Sequence, residues 1–324
     1  MKRGNEPSGG KKASKKRAPA PEVRAGRAGR VAIVGRPNVG KSTLLNALVG
    51  EPIAITSAQP QTTRDRLQGV LTDGGVQYVF VDTPGVHAAK NRLGVRMNAL
   101  AEDAARGADV VVFVTEPIAP GTEDTRILAQ VPASVPVVLV VNKVDRVKPK
   151  DKLLPILEKW GAARDFAAIV PMAAIRGDGA ERLLREIEER LPAGDALFPE
   201  EELTDRPLRW FVAEFVRERI LHETRAEVPH GVAVVVEEYD ESKRVPRIRV
   251  VVHVAKESHK GILLGERGER MRRIATAARA RFEELAGRQI HLEVFVRATP
   301  GWQDSPRALG ELGYGDEVEE HDDR

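Results

Sequence analysis

Eight consecutive residues, Gly35-Arg36-Pro37-Asn38-Val39-Gly40-Lys41-Ser42, followed by Thr43, match G-x-x-x-x-G-K-[ST]. The glycines permit backbone conformations that side chains forbid, so successive N–H groups can surround phosphate oxygens at a helix N-terminus. Lys41 adds a point charge for the β- and γ-phosphates, and the Ser42 hydroxyl is placed to ligate Mg²⁺. Asp82-Thr83-Pro84-Gly85 ends a later apolar run. There a carboxylate can hold Mg²⁺ through water, and the Gly85 N–H can meet a γ-phosphate and lose it after hydrolysis. Asn142-Lys143-Val144-Asp145 ends another run. The Asp145 carboxylate can accept both N1–H and N2–H of guanine, a pair of donors that adenine lacks. Together the three motifs specify a P-loop protein that binds GTP and GDP.

These residues need strands to carry them. The runs at 31–35, 76–84, 109–116, 136–143 and 167–172 are short, rich in β-branched residues and separated by helix-sized segments. That pattern predicts buried parallel strands in an α/β layer fold, with helices on both faces of the sheet. Residues 67–72 read as an edge strand joined to 76–82 by the turn Asp73-Gly74-Gly75. The α/β pattern stops near 191, and three prolines (Pro192, Pro199 and Pro207) with an acidic patch mark an interdomain linker. A helix at about 208–226, strands at 231–239 and 247–255, a helix to about 286 and a strand at 290–296 give an α-β-β-α-β order. There is room in it for one extra short helix.

The run GRPNVGKS, QTTRD, DTPG and NKVD resembles the Era family within the translation-factor-related GTPases. The resemblance implies a Ras-like G domain and slow GTP hydrolysis stimulated by RNA or a ribosomal partner, with Lys41, Thr63 and Gly85 as the catalytic group. Thr63 would complete the Mg²⁺ shell with Ser42 and Asp82; Thr62 is the alternative. The long polar segment 51–66 suits a switch ordered by nucleotide, and 82–98 a second switch. Val86 stands where Ras-like enzymes have a water-orienting glutamine. Asn38 matches an asparagine that helps bind K⁺ beside the phosphates in related GTPases; its other reading is a brace for the loop. Ala173-Ala174 replaces the family's Ser-Ala, leaving the Ala174 N–H to meet guanine O6 without a supporting hydroxyl.

The segment from Ser258 to Gly268 resembles the type II KH domain that follows the GTPase in that family. A G-x-x-G turn lets the backbone approach single-stranded RNA closely. Lys260, Gly261, Gly265, Arg267, Gly268, Arg270, Arg272 and Arg273 are the candidate RNA contacts. The following helix is expected to bury Met271, Ile274, Ala278, Phe282 and Leu285. Eight basic residues against three glutamates between Lys256 and Arg281 make a local net +5, the footprint expected of RNA. Glu266 departs from the family's lysine. The implied partners are small-subunit ribosomal RNA near its 3′ end and the small ribosomal subunit itself, with loose association at the inner membrane surface. A monomer is expected.

Charge is uneven along the chain. Residues 1–30 carry ten Lys/Arg against two Glu, so the net +3 of the whole conceals an acidic remainder. The expected organisation is a disordered basic tail at 1–28, a G domain at 29–191, a linker at 192–207, a KH domain at 208–303 and an acidic tail at 304–324. The basic tail reads as a solvated extension, an RNA arm or, more weakly, a transit peptide. With no cysteine, disulfides, thiol nucleophiles and cysteine-held metals are excluded. No apolar run is long enough to span a bilayer, and no secretory signal is evident, so a cytoplasmic protein is expected. Two other classes fit parts of the pattern: an RNA-binding scaffold with a merely structural nucleotide site, and a tRNA-modifying GTPase. The Mg²⁺ ligands in mobile loops count against the first, and the strands at 231–255 against the second.

Overall fold

The structure, a computed structural model, describes residues 26–226 and 228–315. The first sheet is formed by β1 (Arg27–Val34), β2 (Leu67–Asp73), β3 (Val76–Asp82), β4 (Val110–Thr115), β5 (Val137–Val141) and β6 (Ala168–Pro171), in the order β2-β3-β1-β4-β5-β6. All pairs are parallel except β2 with β3. Every residue of β3, β4 and β5 is buried, which is why their runs are largely apolar rather than alternating, the polar Gln77 and Asp82 of β3 being among the exceptions. Helices α1 (Lys41–Val49) and α5 (Ala180–Glu188) cover one face. The other is covered by α2 (Arg92–Arg106), α3 (Thr122–Ala129) and α4 (Leu154–Ala163). Because β1 lies between β3 and β4, the crevice at its carboxyl end is the switch point where open α/β sheets hold ligands.

The second unit runs α6 (Leu208–Glu223), β7 (Val232–Asp240), β8 (Arg247–Val254), α7 (Glu257–Leu264), α8 (Glu269–Ala286) and β9 (His291–Ala298). β8 pairs antiparallel with β7 and parallel with β9. Ile248, Val250, Val252 and Val254 turn one sheet face onto Phe211, Phe215, Ile274 and Phe282 of α6 and α8. The extra short helix is α7. One apolar cluster continues from Leu44, Leu45 and Ile53 of the first unit to Phe215 and Ile220 of the second.

Several expectations are corrected. β1 begins at Arg27, inside the segment expected to be tail, because Arg27 and Ala28 pair with Val76 and Gln77 and the Arg27 guanidinium donates to Leu191 O at 2.6 Å. The rest of that tail, 1–25, lies outside the described residues, as does 316–324. At the other end, α9 (Pro306–Leu309) and a π-helical turn Gly310–Tyr314 are folded where an acidic tail was expected. Leu309 and Leu312 bury against Leu93, Met97 and Ala233, and Tyr314 stacks on Trp302. Leu285 is 36% exposed rather than core. The second switch loop stops at Asn91, whose side chain accepts from the Gly94 N–H and caps α2.

The connection between the units is laced to the sheet. Gln77, itself buried, accepts from the N–H groups of Leu197 and Phe198 and donates to Phe198 O. The Val70 N–H reaches Leu203 O at 2.9 Å. Among the described residues no helix is long and apolar enough to cross a membrane.

Candidate nucleotide site and RNA interface

The turn between β1 and α1 has its shape because of its glycines. Gly35 and Gly40 adopt φ 144° and 100°. A side-chain carbon on Gly35 would collide with Val114 O, and one on Gly40 with the Asn142 amide. Lys41, only 6% exposed, donates to Gly35 O at 3.1 Å and Arg36 O at 3.0 Å, so its ammonium is held inside the loop. Burial lowers its pKa to about 8, an effect that the Asp82 carboxylate partly opposes. Arg36 is clamped by the buried Asp124 of α3 at 2.8 Å.

Three oxygens converge below this loop. Ser42 Oγ donates to Asp82 Oδ2 at 2.7 Å and lies 2.9 Å from Thr63 Oγ1, which is itself 3.3 Å from the same carboxylate oxygen. Asp82 is fully buried and its pKa is raised, chiefly by desolvation. Its Oδ1 has no hydrogen-bond partner. Two hydroxyls and a carboxylate are hard oxygen donors, and a buried, unpartnered carboxylate oxygen is what a cation would relieve. The set fits Mg²⁺. Gly85 packs so closely under the loop that a methyl group there would lie 2.7 Å from Pro37 Cα. Thr83 is buried and donates to Ile33 O at 2.8 Å, which braces the Asp82–Gly85 turn against β1.

At the base end, Asn142 is a brace. Its amide donates to Val39 O at 2.9 Å and its carbonyl accepts from the Ala174 N–H at 3.0 Å. The Ala174 N–H expected to face guanine O6 is therefore engaged by Asn142. Lys143, in the left-handed region at φ 61°, donates to Asn38 O at 2.6 Å and to Glu116 at 2.5 Å. Asp145 lies half-buried on the short turn Val144–Arg146 that follows. A cavity of about 450 Å³ is lined among others by Asn38, Lys41, Thr63, Gly85, Lys143 and His222, with Asp82, Asn142 and Asp145 outside its lining.

His222 belongs to α6 of the second unit, and no sequence motif marks it. Its Nε2 lies 3.1 Å from Thr56 O, while Glu218 on the same helix accepts from the Thr56 N–H at 3.0 Å. Arg281, counted in the sequence as part of the basic stripe, instead pairs with Glu218 and donates to Pro52 O. Arg64, beside Thr63, is 2% exposed and gives its guanidinium to the carbonyls of Pro229, His230 and Val232. Burial lowers its pKa. The segment 51–66 is thus held partly by its own buried residues, Ile53, Ala54, Ile55 and Arg64, and not by a ligand alone.

The second glycine-rich turn links α7 to α8. Gly265 and Gly268 adopt φ 69° and 79°, and a methyl group on Gly265 would lie 2.9 Å from Arg270 Cβ. Gly261, Glu266, Arg267 and Arg272 are exposed, and Lys260 is half-exposed beside Glu257. Besides Lys260, two more candidate cations are already engaged: Arg270 on Ile262 O, and Arg273 on Glu223 at 3.1 Å. The face keeps Arg267 and Arg272 toward solvent.

Residues 30–143 match the family described as 50S ribosome-binding GTPase, and residues 227–303 match the KH domain. GTPase Era of Bordetella pertussis is 46% identical over 292 residues, 89% of this chain and 98% of that protein. The chain belongs to the Era family of GTPases. Two solved Era structures, each 36% identical, superpose over 90% of this chain and 100% of theirs with a TM-score of 0.87. One is an Aquifex aeolicus Era variant bound to GDP·AlF4⁻; the other is Era with MgGDPNP and nucleotides 1506–1542 of 16S ribosomal RNA. Family membership makes the chain a GTPase with a P-loop G domain and a C-terminal KH domain, as the motifs predicted.

Proposed function

We propose that this Era-family chain is a GTP-driven switch that holds single-stranded ribosomal RNA and assists assembly of the small ribosomal subunit. The loop 35–43 cradles the phosphates, with Lys41 on the β- and γ-oxygens and the Gly85 N–H on the γ-phosphate. Asp145 reads guanine, and Asn142 holds the loop against the base pocket. Ser42, Thr63 and Asp82 would hold Mg²⁺, which when bound neutralises charge on the β- and γ-phosphates. At the other end, Lys260, Gly261, the Gly265–Gly268 turn, Arg267 and Arg272 meet the RNA backbone and bases. Arg270 and Arg273 shape that face through their carbonyl and carboxylate partners. A ligand near the 3′ end of small-subunit ribosomal RNA is favoured by the solved Era complex that contains such a fragment.

The observation that carries this reading is the adjacency of Thr63 and Arg64. Thr63 sits on the Ser42–Asp82 pair, while Arg64 reaches the carbonyls that open β7. Loss of the γ-phosphate frees Thr63 and pulls on a residue planted in the RNA-binding unit. Asn38 supports K⁺ assistance: its amide N–H is taken by Ala58 O at 3.0 Å, leaving the carboxamide oxygen for a cation. A monomer in the cytoplasm, with its basic N-terminal segment favouring loose membrane contact, completes the reading.

Single-turnover hydrolysis with Mg²⁺ and K⁺, with and without a 3′-terminal ribosomal RNA fragment, tests it. Phosphate release that rises with RNA is expected, together with stronger crosslinking to the fragment in the GTP-analogue form than with GDP. No release under any condition would leave only a scaffold.

A further inference from the structure

The residue after Asp82-Thr83-Pro84-Gly85 cannot orient water, because Val86 is 3% exposed and packs into the core with Val34, Ala101 and Ile127. The next side chain turns the other way. His87 Nδ1 lies 3.0 Å from Gly85 O, and its Nε2 lies 2.8 Å from the Gln61 amide nitrogen. Its backbone is pinned on both sides by Asn98 of α2, at 3.2 Å from the N–H and 2.8 Å to the carbonyl. We propose that His87 is a positioning residue for GTP hydrolysis, fastening Gln61 of the first switch segment to Gly85 of the second.

The chemistry of the partners fixes the form of the ring. A carbonyl oxygen only accepts, so Nδ1 carries the proton; the amide nitrogen only donates, so Nε2 offers its lone pair. The imidazole is a neutral bridge with a direction, Gln61 to His87 to Gly85. Gln61, held at φ 62°, directly precedes Thr62 and Thr63, and both Gln61 and Gly85 line the nucleotide cavity. The bridge therefore joins the two segments that flank the expected γ-phosphate. It fixes the Gly85 carbonyl, on the C-terminal side of the residue whose N–H faces the expected γ-phosphate, and the approach to Thr63 at once, and donors held in place in this way lower a barrier without reorganising during reaction. The GDP contacts lie elsewhere, on the loop 35–43 and at Asp145, so the bridge should act on turnover and not on nucleotide retention.

This inference rests on the nucleotide-site reading above, and the test separates the two. GDP affinity and steady-state hydrolysis are measured for the full chain and for His87→Ala, His87→Asn, Gln61→Ala and the Gln61→Ala/His87→Ala pair. The expected result for His87→Ala is a kcat lowered roughly five- to tenfold, the worth of one or two neutral hydrogen bonds, with KM and GDP affinity unchanged. His87→Asn keeps an amide donor near the Nδ1 position for Gly85, but its shorter side chain brings no acceptor to the Nε2 position that Gln61 meets, so its rate should match Gln61→Ala. The double variant should be no slower than His87→Ala alone. Unchanged kcat in His87→Ala, additive losses in the double variant, or a parallel fall in GDP affinity would overturn the bridge while leaving the site intact. Should His87→Ala fail to fold, His87→Asn and Gln61→Ala carry the same comparison. Failure of the unsubstituted chain to retain GDP would overturn the nucleotide reading, and the bridge with it.

Discussion

The two glycine-rich turns proposed to bind nucleotide and RNA are built in opposite ways. The loop 35–42 is enclosed: Lys41 is buried, its ammonium caps two carbonyls of its own loop, and Asn142 ties the loop to the distant turn at 174. The turn 265–268 is open, with Glu266 and Arg267 exposed and only its flanks secured, through Arg270 on Ile262 O. A compact ligand of fixed shape rewards a preformed, desolvated cradle in which each donor is held in place. A polymer strand needs access along a surface, so there the glycines keep bulk away and the charges stay in water. The first turn should respond to single substitutions with large, ligand-specific losses, and the second with small, salt-dependent ones.

The sharpest test of the enclosed site is Asp145→Asn. Replacing the acceptor by a donor should swing preference from guanine toward xanthine nucleotides by on the order of 10⁴-fold, read by competition binding. Lys41→Ala should weaken GDP binding by on the order of 100-fold, the loss of charge-assisted contacts in a buried site, without altering RNA affinity in a gel-shift titration. The same lysine predicts a pH effect. Its pKa is lowered to about 8 by burial, and phosphate oxygens will raise it on binding, so binding takes up a proton above that pH. GDP affinity should be flat below about pH 8 and fall by roughly tenfold per unit above it, a slope that Lys41→Ala should lack. In the open turn, Arg267→Ala with Arg272→Ala should reduce RNA affinity by roughly tenfold at low salt and flatten its salt dependence, leaving GTP hydrolysis without RNA unchanged. The smallest effect is expected of Arg64→Ala. Basal hydrolysis should change little, while stimulation by RNA should fall by about two- to fivefold as the guanidinium's contacts to the carbonyls of Pro229, His230 and Val232 are lost. An equal loss of RNA and nucleotide binding in any of these variants would erase the contrast between the turns.

Much of this was legible in sequence because the nucleotide parts are local. A strand, a glycine-bounded loop and a helix in succession fix where Lys41 and Ser42 point, and the carboxyl end of β3 does the same for Asp82. The order of strands and helices in both units was legible for the same reason. What escaped depends on long-range contact. Arg64 meets carbonyls more than 160 positions away, and His222 reaches the cavity from another unit. Arg281 looked like one more member of a basic stripe until the fold set Glu218 and Phe215 against it. The folded end at 306–314 is too short for periodicity to announce, and its stability comes from Leu93 and Met97, far earlier in the chain. Leu285 failed differently: at the end of α8 it is Phe282 and Ala286, four apart, that meet the core, and Leu285 is left to the side of that stripe.

The apolar cluster that passes without a break from α1 through Ile53 to Phe215 and Ile220 makes the two units one thermodynamic body. Heating should melt them together in a single calorimetric peak, and GDP, though it touches mainly one of them, should raise the temperature at which both lose structure. Severing the chain between them would strand greasy surface on each fragment, so neither half is a faithful stand-in for the whole.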